Sequence, residues 1–344
     1  MTDTARQTTE GGPAPELPDA PGRVPDFFVV GHAKCGTTAM YEMLRRHPQV
    51  FMPEYHGGFG KEPWFFSREN PQPQRDGHRD VNFTGRPMPW SQYLALFDDA
   101  REDQLVGEGS TSYLWSHSAA SRIAAVRPDA RIVAIIREPA SFLRSLHLQL
   151  LENRHEIVRD FRTAVELDGP RLENREIPPR STWPGALIYS ERIKYVEQLE
   201  RYRSTFGADR LKILIYDDFR RDNAAAVHEV QRFLGIDEAP VQALDVNPTG
   251  GPRGDWVVAA NKRLRTSSGL PWRTLRASGK ALTSAALRKR VFYPLKRRAI
   301  WGPPPPPDEE FMQELRRRFK PEVLAFSEYM DRDLISLWGY DDVG

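Results

Sequence analysis

Cysteine is almost missing from this chain of 344 residues: Cys35 is the only one, which excludes an intrachain disulfide framework and any cysteine-based zinc cluster and points to a reducing compartment. Nor is there a run of about 18 apolar residues of the kind a membrane-spanning helix needs. The N-terminus lacks the basic start and apolar stretch of a secretory leader. A soluble, cytoplasmic protein is the expectation. Net charge is nearly absent as well: 49 Lys and Arg face 47 Asp and Glu, a formal +2 that argues against a surface built for nucleic acid. Acid is lacking altogether in one place. Residues 256–307 hold twelve basic residues and no Asp or Glu, leaving −10 on the rest of the chain. This stretch reads as a basic insert or lid suited to peripheral contact with an anionic membrane.

What is there follows a regular order. Residues 1–23 offer almost nothing to bury and read as a disordered tail. The chain as a whole is 40 % hydrophobic, ample for a buried core. Apolar, strand-forming runs at 26–31, 130–136 and 210–216, and a short strand at 104–108, alternate with helical periodicity at 37–47, 118–126, 140–154, 188–206 and 222–234. Strands alternating with helices of this length imply an α/β fold, a three-layer α/β/α domain with a central parallel sheet. The expected organisation is the tail at 1–23, this domain at 24–255, the basic insert at 256–307, and C-terminal helices at 308–344 packed on the same domain.

The segment Gly31-His32-Ala33-Lys34-Cys35-Gly36-Thr37-Thr38 joins the first strand to the first helix. A parallel sheet places ligands outside the carboxyl ends of its strands, and a helix N-terminus there favours an anion through its N–H groups and dipole. Gly31 and Gly36 let the backbone bend closely around a phosphate, Lys34 brings a mobile cation, and Thr37 and Thr38 bring hydroxyl donors. In the nucleoside-triphosphatase loop, G-x-x-x-x-G-K-[ST], lysine follows the second glycine; here Thr37 does, and the lysine lies inside the loop. Arg137 leaves the 130–136 strand with Pro139 opening the next helix and Ser145 near its second turn, which sets a guanidinium at the same edge. A P-loop kinase or nucleoside triphosphatase, and a non-catalytic protein binding anions or nucleic acid through the basic insert, stay open as alternatives.

The apolar strand, the G-x-x-K-x-G-T-T loop and a helix ending in His47-Pro48 resemble the 5′-phosphosulfate loop of sulfotransferases that use 3′-phosphoadenosine 5′-phosphosulfate (PAPS), in their bacterial and glycan-type branch. Arg137, Pro139 and Ser145 resemble the 3′-phosphate motif of that family, and Lys61-Glu62-Pro63-Trp64-Phe65-Phe66 its K-E-x-x-F-F element. Residues 106–113 are similar to G-E-K-[ST]-P-x-Y, with Gly109 in place of lysine. Tyr216-Asp217-Asp218-Phe219 and Phe233-Leu234-Gly235 resemble scaffold landmarks of the family, and Arg253 and Gly254 fall where the family has a basic loop over the 3′-phosphate.

The resemblance implies a P-loop-like sulfotransferase fold and transfer of the sulfuryl group from PAPS to a hydroxyl, less readily an amine, of a small metabolite, glycolipid or saccharide, with release of adenosine 3′,5′-bisphosphate. It implies Lys34 and Glu62 as catalytic residues. The donor set it implies is Lys34, Cys35, Gly36, Thr37, Thr38, Arg137, Ser145, Arg253 and Gly254. No metal is expected, since PAPS carries less charge at its reacting end than a triphosphate and the sequence shows no metal-ligand cluster, and no nucleic-acid partner is expected. A carboxylate suits the base because the acceptor hydroxyl loses its proton as it attacks sulfur. Glu108, read as exposed at a strand end, and His147 are the alternative bases, with His32 and His155 behind them. Trp64 stands where glycan enzymes often carry a histidine, which removes a helper of Glu62. Cys35, inside an anion cradle, is placed where a thiol pKa falls, although it reads mainly as a spacer. The acceptor walls are expected in 70–90, 167–185 and the basic insert.

Overall fold

The computed structural model describes residues 22–54, 62–67, 88–179, 181, 184–242, 251–252, 301–302 and 304–343. Lys61, Arg253, Gly254, residues 1–21 and all of the basic insert up to residue 300 lie outside the described residues.

β1 (Phe27–Val29) is buried at every position, as a strand covered on both faces must be. It sits at the centre of a five-stranded sheet with β2 (Val50–Phe51), β3 (Leu105–Gly109), β4 (Arg131–Ile136) and β5 (Leu211–Ile215), in the order β2-β3-β1-β4-β5. Every pairing is parallel. The register sets Val29 beside both Gly109 and Val133, so three successive loops leave one edge of the sheet as neighbours, about 4.8 Å apart. The site is built on that edge.

The expected strands appear as β1, β3, β4 and β5, and the α/β/α reading of the fold holds; β2 had too few residues to show a pattern. Helices α1 (Thr37–Leu44), α2 (Trp90–Leu94), α3 (Ala119–Val126), α4 (Pro139–Asn153), α5 (Phe161–Glu166) and α6 (Asp168–Leu172) follow in order. The helix expected over 188–206 is broken into α7 (Tyr189–Arg192) and α8 (Tyr195–Phe206). Its first turn is capped from outside, the Asp168 carboxylate accepting from the N–H groups of Tyr189 and Ser190 at 2.8 and 2.7 Å. The strand expected to reach Tyr216 stops one residue earlier, where α9 (Tyr216–Arg221) begins, followed by α10 (Asn223–Leu234).

A short antiparallel pair, β6 (Gly251–Pro252) with β7 (Trp301–Gly302), brings the chain together at either end of residues 253–300, and β6 packs on α4. The terminal helices α11 (Glu309–Tyr329) and α12 (Leu334–Trp338) close the domain, α11 lying on α4 and α8. They also pin the site's scaffold. Arg332 pairs with Asp218, the Trp338 indole N–H donates to Asp217 at 2.9 Å, and the Tyr340 hydroxyl donates to Glu138 at 2.7 Å.

Candidate active site

Gly31 leaves β1 pressed against β4: a Cβ there would stand 2.8 Å from the backbone N and O of Ile135. The chain then turns through the left-handed region at Lys34 (φ 68°) and Gly36 (φ 84°). At Gly36, the N-cap of α1, a Cβ would meet the Phe219 ring at 2.8 Å, so only glycine starts the helix here. No side chain caps α1, and its N-terminal N–H groups and dipole are presented at the sheet edge. Cys35 departs from expectation. Its N–H donates to the His32 carbonyl at 3.3 Å, its thiol is buried, and burial pushes the pKa up to about 12, outweighing the cations Arg137 and Lys34. A spacer it is; an activated thiol it is not.

Arg137, leaving β4, reaches back to this loop. Its Nη1 donates to the Lys34 carbonyl at 3.0 Å, its Nε donates to the Ser141 hydroxyl at 3.2 Å, and its guanidinium stacks 4.8 Å from the Tyr216 ring centre. Nη2 takes no partner among the described residues and keeps its donors for a ligand. The Arg137 carbonyl is held by the Tyr195 hydroxyl at 2.8 Å, and the Glu138 carboxylate caps α4 by accepting from Ala140 and Ser141 N–H at 3.0 and 2.7 Å. Ser145 lies one turn further along α4, buried. Ser141 and Tyr216 are additions to the predicted set. In the sequence Tyr216 belongs to a scaffold landmark at a strand end, and only the sheet order brings that end beside Arg137.

On the other side of the loop stands Glu62. Its N–H donates to the Gly109 carbonyl at 3.1 Å, which fixes it to the exit of β3. Its carboxylate accepts from the Thr111 hydroxyl and from the Trp64 indole N–H, each at 3.1 Å. Trp64 therefore does assist Glu62, as a hydrogen-bond donor that cannot itself take a proton. Both residues have positive φ, 63° for Glu62 and 53° for Trp64, a strained turn of the sort that persists where neighbours over-determine it. The neighbours are aromatic: Phe65 stacks on Tyr93 at 4.5 Å, and Phe66 meets Phe28 edge-on at 5.8 Å. Trp90, in an expected acceptor wall, stacks on Tyr93 at 5.3 Å and serves this cluster instead. At Gly109 a Cβ would lie 2.8 Å from the Tyr41 ring, so the lysine of the family pattern has no room here.

Glu108 is not exposed. It is 1 % accessible, and burial pushes its pKa up to about 7 against the opposing hydrogen bonds of Ser110, Tyr113 and Tyr93. His147 is likewise removed from solvent, its Nδ1 bonded with the Tyr189 hydroxyl at 2.9 Å and its Nε2 with the Arg159 carbonyl at 3.1 Å. Both ring nitrogens are engaged, which leaves none to serve as a base. His32 bonds to Gln198 at 2.8 Å, and burial followed by the Arg192 charge brings its pKa down to about 3. His155 is lowered by burial. The structure therefore brings Lys34, the start of α1, Arg137 and Glu62 to adjacent strand exits and leaves His32 and His147 in the core.

Comparison with known proteins gives this arrangement a context. Residues 25–240 match a family model described as the Sulfotransferase family. The chain is 28 % identical over 218 residues to the human bifunctional heparan sulfate N-deacetylase/N-sulfotransferase 3, covering 62 % of this chain and 22 % of that protein. It is 25 % identical over 236 residues to the human heparan sulfate glucosamine 3-O-sulfotransferase 3B1, covering 65 % of this chain and 52 % of that one. The chain thus spans about half, or less, of the length of these relatives. A crystal structure of a sulfotransferase from Alicyclobacillus acidocaldarius shares the fold with a TM-score of 0.59 at 24 % identity, covering 92 % of this chain and 99 % of that chain.

Proposed function

The chain belongs to the sulfotransferase family, and from that premise we propose that it transfers a sulfuryl group from PAPS to a hydroxyl, less readily an amine, of a saccharide, glycolipid or small metabolite. The observation that carries this reading is the uncapped start of α1 next to Arg137 on one side and Glu62 on the other. The residues suit the donor. A cradle that excludes a Cβ at Gly36, with N–H groups, a lysine and a fork of guanidinium donors, is chemistry for two phosphate groups. PAPS supplies an activated sulfuryl group on a phosphate that gains negative charge as it leaves.

In this reading the N–H groups of Gly36, Thr37 and Thr38 hold the 5′-phosphate, and Arg137 with Ser145 holds the 3′-phosphate. Lys34 sets its ammonium against the charge that grows on the leaving oxygen, the largest lever such a site has. Glu62 takes the acceptor proton, with Trp64 and Thr111 orienting the carboxylate. The relatives named for heparan sulfate favour a saccharide among the acceptors, one being an N-sulfotransferase and the other a 3-O-sulfotransferase. Titration calorimetry with adenosine 3′,5′-bisphosphate and with ATP tests the donor: the bisphosphate is expected to bind tightly and ATP weakly. ATP binding without bisphosphate binding would return the site to the kinase class. Incubation with labelled PAPS and cell extract, followed by mass spectrometry of sulfated products, identifies the acceptor.

A further inference from the structure

Behind Glu62 lies a second carboxylate that the proposed chemistry does not use. Glu108 sits on β3 opposite Phe28 of β1, fully enclosed. Its Oε2 accepts from the hydroxyls of Tyr93 and Tyr113, both at 2.8 Å, and its Oε1 from the Ser110 hydroxyl at 2.6 Å. Two of these donors are committed. The Tyr113 oxygen already accepts the Phe66 N–H at 3.2 Å, and the Ser110 oxygen already accepts the Trp64 N–H at 3.1 Å, so each turns its own proton toward Glu108. Three O–H donors converging on one carboxyl is a setting for the charged form. No cation among the described residues pairs with it; the groups that feel its charge are Tyr41 on α1, Tyr93 on α2, Tyr113 after β3 and Tyr202 on α8, and the Glu62 charge adds to the upward push on Glu108.

We propose that Glu108 is a positioning residue for Glu62: through Ser110 it anchors the backbone of Trp64, whose indole holds the Glu62 carboxylate. Burial brings the ionisation of Glu108 to about 7, so the setting of Glu62 changes within the working range of pH. The inference rests on Glu62 as the base, and its test separates the two assignments.

The probe is PAPS with water as acceptor, read as bisphosphate release by the full chain, in parallel with melting curves of the unliganded protein. Turnover by the native chain is expected to rise as pH passes about 7. Glu108→Gln is expected to lose that rise and turn over about tenfold more slowly, a fraction of the range of acid–base effects, with bisphosphate affinity unchanged. Tyr93→Phe, which removes one donor without opening a cavity, is expected to move the rise to higher pH. The melting curves report on Glu108 alone. Its folded pKa is raised above the unfolded value of 4.5, so the stability its proton supplies is present at low pH and is lost as pH rises through about 7. Glu108→Gln should therefore melt progressively higher than the native chain as pH increases. An unchanged pH profile in both variants overturns the positioning role. Full turnover by Glu62→Gln overturns the base assignment and the role that depends on it, while the melting comparison still reports whether Glu108 titrates.

Discussion

At the scale of single residues the site divides its labour through one hydrogen bond, from Arg137 Nη1 to the Lys34 carbonyl. Lys34 sits at positive φ, a conformation costing of order 1 kcal/mol, and the guanidinium that holds its carbonyl is one reason it persists. Lys34→Ala is expected to lower turnover by about two to three orders of magnitude, the usual cost of removing a charge-stabilising donor, with bisphosphate affinity changed only severalfold. Arg137→Ala loses both the proposed ligand of the 3′-phosphate and the prop of the loop, so it should weaken bisphosphate binding and lower turnover together. Kinetics alongside calorimetry separate the two, and equal losses of donor affinity would contradict the assignment. Much of this was legible in the sequence, because covalent spacing alone places Lys34, Gly36 and Arg137 just beyond apolar strands. The setting of Glu62 was not. Positive φ at two non-glycine residues folds Trp64 back onto it, and local composition carries no mark of that. Nor was the burial of Glu108 and Cys35, since a strand end reads as exposed until the aromatic residues that cover it are in place.

At the scale of elements, α1 and α9 are fitted to each other through Gly36 and Phe219, although they start from strands that are not neighbours in the sheet. Gly36→Ala must place a Cβ 2.8 Å from the Phe219 ring and an L-residue at φ 84°. The backbone term alone costs about 1–2 kcal/mol, and relieving the contact shifts the start of α1, whose N–H groups are proposed to hold phosphate. A fall in urea midpoint accompanied by at least tenfold weaker bisphosphate binding is the expected result; loss of stability with full binding would detach α1 from the donor site. β1, β4 and β5 were readable because parallel strands buried on both faces are nearly continuous apolar runs, whereas β3, with Gly107 and Glu108 inside it, gives a shorter signal. The break before α8 was not, because the cap on Tyr189 and Ser190 comes from Asp168, about twenty residues away, and helical periodicity continues through the junction.

At the scale of the whole molecule, the balanced charge resolves into two parts. Residues 253–300 carry a net +12 and the rest of the chain −10, while β6 and β7 bring the two ends of that stretch together against α4, the helix that carries Ser145. Because the ends already meet, a short linker can replace these residues without moving either one, and loop-closure entropy changes little with such a shortening. The variant is expected to melt within a few degrees of the full chain. Its electrostatics should differ more than its stability. Two anionic phosphate groups approaching a body of charge −10 are repelled, whereas a stretch of charge +12 is expected to draw them in, an effect screened beyond about 10 Å at ordinary salt. In the full chain the KM for PAPS is therefore expected to rise with ionic strength; in the linker variant it should start higher at low salt and respond weakly, or fall, as salt is added. The same salt dependence in both proteins would show that the basic stretch plays no part in drawing the donor, and would leave Lys34 and Arg137 to supply the attraction alone.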